Sequence, residues 1–285
     1  MAFDDASDSH HVEAYQVNDI IFNNAGYTIE QVTQNTPLMR GQNLTPAMDH
    51  GDRWREKRLG GRTETWNMWI TDADPTTNTP PSTNKAQRAQ FHDNWDVVMN
   101  ILNTTHTASG YDAPLKVVRR MQSNPSSPAD KYRINYGEMN GQISVRDYRA
   151  FVMAKFSVNV FYPDPRWYEC NSAGAKTTST LTATGNPDGT ALMTDMTITL
   201  GDGSVNDPYI ENTTTGSKLT FSGNPTGAVV INTSNYTLTD NGTNAIGSLD
   251  RTGSTTTDWF RLQPNISNTL ASNTTFSIAY TKAFI

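Results

Sequence analysis

Cys170 is the only cysteine in this chain of 285 residues, so no disulfide can close within it. No apolar run approaches the ~20 residues that a membrane-spanning helix requires. The opening stretch MAFDDASDSHH is acidic and lacks the apolar segment of a secretory signal; the expectation is a soluble protein made in the cytosol. Basic residues are few, with 22 Lys and Arg against 28 Asp and Glu and a net charge of -6. The one dense basic run, Arg53-Trp54-Arg55-Glu56-Lys57-Arg58, is interrupted by an acid. That pattern argues against nucleic-acid binding through neutralised phosphates. Catalytic signatures are missing as well: there is no G-x-S-x-G elbow, no H-E-x-x-H pair and no phosphate-cradling glycine loop.

The remaining titratable groupings have plainer readings. His10 and His11 are adjacent, so on an extended chain they point to opposite faces and make a poor chelate. His92 lies beside the apolar stripe of a helix and reads as a surface residue. Asp72-Ala73-Asp74 offers oxygen ligands but no EF-hand loop around them, and reads as an acidic turn after a strand. Asp202, Asp207 and Glu211 resemble the carboxylates of a glycoside hydrolase, yet they sit at turn-rich positions with no sign of a desolvated acid. The expectation is therefore no enzyme, no cofactor and no metal.

What is present suits β-structure. Hydrophobic residues make up 35% and aromatic residues 9%, including 6 Trp and 11 Tyr, a composition that fits thin sandwich cores under large polar surfaces. Trp66, Met68 and Ile70 alternate with polar neighbours such as Glu64, Asn67 and Thr71, the period of a strand. Trp66, Trp69 and Trp259 are of a type that stacks on sugars; Trp66 reads as core on this pattern, while Trp69 points the other way and suits a subunit interface instead. Phe91, Trp95, Val98, Met99 and Leu102 form one apolar stripe, predicting a helix near 84–103 capped by Ser82 or Thr83. Further strands are expected at Leu115–Met121, Tyr132–Tyr136, Ile143–Tyr148 and Phe156–Tyr162. These must pair within the chain or offer edges to neighbours.

Past that point the composition changes. Only five of the 22 basic residues follow Asn171, and Thr, Asn, Ser and Gly dominate. Pro163 and Pro165 flank Asp164 and end the preceding strand, so the boundary between two domains, 1–163 and 164–285, is expected here. In the second, short alternating runs recur at roughly ten-residue spacing. They include Leu192-Thr194-Met196-Ile198-Leu200, Leu219–Phe221, Val229–Ile231, Tyr236–Leu238 and a last strand through Phe276, Ile278 and Tyr280. Asp240-Asn241-Gly242 signals a hairpin. Trp259, Phe260 and Leu262 are expected in a penultimate strand, with Trp259 pinning the core. The pattern predicts an antiparallel sandwich of jelly-roll or galectin-like type.

Three stretches can be compared with a known family. Leu59-Gly60-Gly61-Arg62 leads into Trp66-Asn67-Met68-Trp69-Ile70 and then the helix with Asn94-Trp95-Asp96. Pro163-Asp164-Pro165-Arg166-Trp167-Tyr168 follows a long strand. Asp258-Trp259-Phe260-Arg261-Leu262-Gln263-Pro264 precedes Asn268 and the final strand. In this order, from Leu59 to the end, the chain resembles the siphophage distal tail protein family and related minor tail proteins of actinobacteriophages. One departure is Asn265, where the family carries glycine; Asn also tolerates the left-handed conformation.

The resemblance implies a mainly β fold with one helix, in which an N-terminal β-barrel or sandwich ring domain precedes a galectin-like β-sandwich. It implies a homo-oligomeric ring, a hexamer, at the virion tail tip, assembled in the host cytoplasm. The ring would join the tail tube to the hub and receptor-binding apparatus. Its partners would be itself, the tube, tape-measure and hub proteins, with DNA only as passing cargo and no membrane. Trp66, Trp69, Trp95, Pro163, Asp164, Pro165, Trp167, Trp259 and Pro264 are the structural candidates. The alternatives are a saccharide-binding module and a tail-associated wall hydrolase.

Overall fold

In a computed structural model the described residues are 13–37, 39–40, 58–102, 114–121, 131–149, 152–201, 203–255 and 259–285. His10, His11, His50, His106, Asp202 and Asp258 lie outside them. Two compact units emerge: unit 1 is Met1–Pro165 with Cys170–Ala175, and unit 2 is Arg166–Glu169 with Lys176–Ile285. The protein is mostly antiparallel β-structure, with one α-helix among the described residues.

Unit 1 contains β1 (Glu13–Val17), β2 (Ile20–Phe22), β3 (Tyr27–Gln34), β4 (Met39–Arg40), β5 (Arg58–Leu59), β6 (Arg62–Thr71), α1 (Asn84–Leu102), β7 (Leu115–Met121), β8 (Lys131–Met139), β9 (Ser144–Arg149) and β10 (Met153–Tyr162). Pairing runs β2-β1-β7-β8-β10-β6-β3. β8 meets β10 only at Val160↔Met139 and Phe161↔Glu138, a corner where the sheet turns. The bridge Asn23↔Thr28 then links the two ends of the path, so the sheet curls round its own core. β10 pairs with β6 along its whole length and with β9 and β8 on its other flank. Of the strands expected to pair or offer an edge, Phe156–Tyr162 is therefore paired on both sides.

β6 alternates buried and half-buried positions from Arg62 to Thr71 without a break. Glu64 shares the parity of Trp66, not of Asn67, and is wholly buried beside it. The expectation that Glu64 belongs to the polar face is corrected by this register: a strand keeps its two-residue period regardless of side-chain charge. Gly61 precedes the strand because a Cβ there would sit 2.5 Å from the Phe161 ring and 2.7 Å from the Tyr162 carbonyl oxygen.

Helix α1 starts where Thr83 Oγ1 accepts the Ala86 amide at 3.3 Å. Its buried residues are Phe91, Asn94, Val98, Ile101 and Leu102. Trp95 and Met99, expected in the stripe, flank it half-buried. Asn94 takes the central place because its amide donates to the carbonyls of Thr71 and Ala73, each at 2.8 Å. A buried amide with two satisfied hydrogens is tolerated in a core, and here it pins the helix to the end of β6.

Unit 2 carries β11 (Trp167–Cys170, its last residue counted with unit 1), β12 (Ser179–Leu181), β13 (Met196–Leu200), β14 (Tyr209–Asn212), β15 (Ser217–Phe221), β16 (Val229–Asn232), β17 (Thr237–Asp240), β18 (Thr243–Asn244), β19 (Leu249–Asp250), β20 (Leu270–Ser272), β21 (Phe276–Tyr280) and β22 (Ala283–Phe284). A six-stranded sheet runs β12-β21-β13-β16-β17-β18, and a four-stranded sheet runs β19-β15-β14-β20. Both are antiparallel, with inward alternation such as Met196, Ile198 and Leu200 against Ile210, Leu219 and Phe221. At the β17–β18 turn, Asn241 and Gly242 have φ of 47° and 78°, the left-handed pair that a two-residue hairpin demands.

Two sequence readings are corrected here. The run from Leu192 is not one strand: β13 begins at Met196, Leu192 is exposed and Met193 is buried. Trp259 is not in a core strand either. It sits half-buried in a bend, while Phe260 and Leu262 are buried at 1% and 0% exposure. Consecutive residues on extended chain face opposite ways, so Phe260 takes the inward place and Trp259 the outward one.

Candidate assembly surfaces

A group of polar and aromatic side chains lies in the interior of unit 1. Arg62 Nη2 lies 3.2 Å from Glu64 Oε1, with both side chains almost fully buried. Trp66 Nε1 donates to Glu64 Oε2 at 3.3 Å. The Arg62 guanidinium stands 5.6 Å from the centre of the Tyr162 ring, and that of Arg119 5.4 Å from Tyr15, whose ring in turn approaches Trp66. Burial lowers the Arg62 pKa, opposed by the Glu64 charge, though an arginine remains charged at any physiological pH. Burial pushes the Tyr162 hydroxyl well up, reinforced by Glu64. No arrangement of nucleophile and base arises from these groups.

The outer surface of unit 1 differs. β9 pairs only with β10 among the described residues and is exposed along its length. Val145, Tyr148 and nearby Val152 are each more than half exposed. Tyr148 also meets the buried Phe91 ring edge-on at 6.1 Å, so the strand is anchored to α1 while one edge has no partner strand among the described residues. On the outer face of β3, β6 and β10, Gln31, Asn67 and Ser157 form a hydrogen-bonded ladder. Trp69 lies half-buried on that face.

The structure places the other candidates as follows. Trp66 is wholly buried, and Trp95 packs between Phe91 and Phe156. β10 ends at Tyr162; Pro163 is exposed, Pro165 buried, and the Asp164 carbonyl accepts from the Asn135 amide at 3.0 Å. Trp167 is buried in β11. Pro264 is half-buried in the turn that ends with Asn265, whose φ is 57°; the left-handed turn survives without glycine. Asp207 is exposed and accepts the Gly223 amide at 2.6 Å, and Glu211 is half-buried on β14. Among the described residues no group of three or more His, Cys, Asp or Glu could hold a metal, and no helix is long and apolar enough to cross a membrane.

Sequence reasoning missed one structural centre. Asn212 and Asn268 are both fully buried. Asn212 donates to Asn268 Oδ1 at 2.9 Å and to the Arg261 carbonyl at 2.9 Å. Asn268 accepts the Gln263 amide and donates back to its carbonyl. This ties the irregular segment around Phe260 to β14 by satisfied amides, where a strand ladder would otherwise be needed. Asn268 stood out only as part of a motif; in an Asn-rich sequence no pattern separates it from surface neighbours.

At one end of the six-stranded sheet, Asp195 is held by Lys176 Nζ at 2.8 Å and by the Ser234 hydroxyl. Partial burial raises its pKa, but the hydrogen bonds from Lys176 and Ser234 outweigh that and the net shift is downward from 3.8. A carboxylate lowered on folding contributes stability above its unfolded value and loses it as pH falls through the folded one. Asp195→Asn is therefore expected to be less stable than the wild type at pH ~7, with the gap closing below pH ~4. Chemical denaturation across that range checks it.

No family model matches the sequence, and no curated protein matches it. Among solved structures, the SPP1 Dit (gp 19.1) protein, presented as a paradigm of the hub adsorption apparatus in phages infecting Gram-positive bacteria, matches with a TM-score of 0.61 at 16% identity, over 96% of this chain and 100% of its own. Two structures of the phage P2 baseplate in its activated conformation, with Ca and with Sr, match at TM-scores of 0.41 and 0.40 with 10% and 9% identity, over 95% of this chain and 98% of theirs. Nearly the whole chain, and with it both units, has the fold of the SPP1 Dit protein.

Proposed function

We propose that this chain is a structural subunit at the distal end of a long-tailed phage tail, forming a homo-oligomeric ring, most simply a hexamer. The observation that carries the proposal is the fold correspondence with a phage hub protein over 96% of this chain and 100% of that one. In this reading unit 1 makes the ring and unit 2, a galectin-like sandwich, stands outside it. The ring joins the tail tube to the hub, in contact with tube, tape-measure and hub proteins, and DNA passes through its channel. Its place is the virion tail tip, and no catalysis is assigned to it.

The open edge of β9 supports this division of labour. A closed ring uses two different surfaces of each subunit, head to tail, and an exposed strand edge with apolar side chains is a liability unless a neighbour covers it. Val145, Tyr148 and Val152 supply one such surface, and the face bearing Trp69 is suited to be the other.

Val145→Asp with Val152→Asp should leave the chain folded, since exposed substitutions change stability by only ~0.5 kcal/mol, but should stop ring closure. Electron microscopy of tail tips reads the result. Rings that form normally with both substitutions, or a ring whose channel is lined by unit 2, would overturn the assignment.

A further inference from the structure

We propose that the end of unit 2 around Tyr236 and Trp259 is a binding site for an uncharged saccharide. Tyr236 lies in the turn between β16 and β17 with φ of 55°, a left-handed conformation rarely adopted by bulky residues. It is 63% exposed, the most exposed large hydrophobic side chain among the described residues. Strained backbone carrying an exposed aromatic persists only where the surroundings enforce it, and such positions cluster at binding sites.

The surroundings do enforce it. Asn232 Oδ1 accepts the amides of Ser234 and Asn235, each at 3.0 Å. Thr233 Oγ1 accepts the Met196 amide at 3.0 Å, and its own amide donates to the Met196 carbonyl at 2.9 Å. The turn is thereby locked to the start of β13. The Tyr236 ring meets Trp259 at 5.2 Å and 76°, edge to face. Two adjoining rings result, Tyr236 exposed and Trp259 half-buried.

The chemistry around this pair selects the ligand class. Ser234 and Asn235, both exposed, stand beside it in the chain. Of the described charged groups at this end of the sheet, Lys176 meets Asp195 and the Tyr168 ring, and Arg166 meets Thr194 and the Tyr168 ring. An exposed aromatic ring flanked in the chain by polar residues suits a pyranose: the sugar's C–H face covers the aromatic side chain and its hydroxyls meet the polar neighbours. A protein partner fits less well, because protein hot spots cluster in well-packed, desolvated pockets, and Tyr236 stands 63% exposed.

This site does not depend on the ring. The experiment uses the full-length chain in solution, with tryptophan fluorescence read against hexasaccharides of glucose, galactose and N-acetylglucosamine. At least one should perturb the fluorescence saturably, and both Tyr236→Asn and Trp259→Ala should weaken it at least about tenfold. Because Asn accepts a left-handed φ, Tyr236→Asn should melt at or above the wild-type temperature. Failure of all three sugars, a lower melting temperature for Tyr236→Asn, or loss of a tail component from Tyr236→Asn virions without sugar binding by the wild type would each overturn the proposal.

Discussion

Replacing Glu64 with alanine is expected to destabilise unit 1 by about 3–5 kcal/mol, the cost of breaking a buried ion pair by removing one partner. Arg62 would remain in the interior, with burial already opposing its charge and Glu64 no longer offsetting that. Trp66 would lose the acceptor of its indole N–H as well. The double variant Arg62→Met, Glu64→Leu tests whether the pair or the packing matters, since apolar replacements of similar volume are often neutral or stabilising. The full chain unfolded in urea should show a large loss for the single variant and a substantial recovery for the double. A loss below ~1 kcal/mol for Glu64→Ala would mean that water reaches Arg62 and that the pair is not buried.

Phe260→Ala should cost unit 2 about 3–5 kcal/mol, the range for truncating a large core aromatic. Trp259→Ala, one residue earlier, should cost much less, because that indole packs on an exposed tyrosine and not in the core. The pair of variants is a direct test of register: a one-residue shift exchanges inward and outward places. Denaturation followed by a probe in unit 2 reads both, and equal losses would contradict the bend at Trp259.

The positions that misled the sequence reading share a physical cause. Regular alternation and turn chemistry were legible: β10 ends at Tyr162 before Pro163, and Asn241-Gly242 makes its hairpin. Hydrophobicity stands in for burial only while the interior is apolar. Arg62 and Glu64 face inward and Asn94 sits on the buried stripe of the helix, so each reads as surface by residue type. Around Phe260 the segment makes one isolated bridge, Met193↔Leu262, and is otherwise held by the amides of Asn212 and Asn268, so the two-residue period suggested a longer strand. Assembly surfaces were less legible still. Tyr148 and Val145 look like ordinary strand residues until the pairing leaves their edge without a partner among the described strands. Tyr236 gives no sign of its backbone conformation in its neighbours' identities.

The division into units also bears on how the protein can be cut. The chain leaves unit 1 after Pro165, returns at Cys170 and leaves again after Ala175, where the sequence marked a single passage. Within unit 1, the returning segment lies over β7: a Cβ on Gly174 would come within 2.7 Å of both Lys116 and Val118, and the Ala173 carbonyl accepts from Lys116 at 3.0 Å. A fragment ending at Pro165 would therefore lack the flap on β7, and one beginning at Arg166 would carry six residues that belong elsewhere. On the ribosome, likewise, unit 1 cannot be completed until the first residues of unit 2 have already emerged.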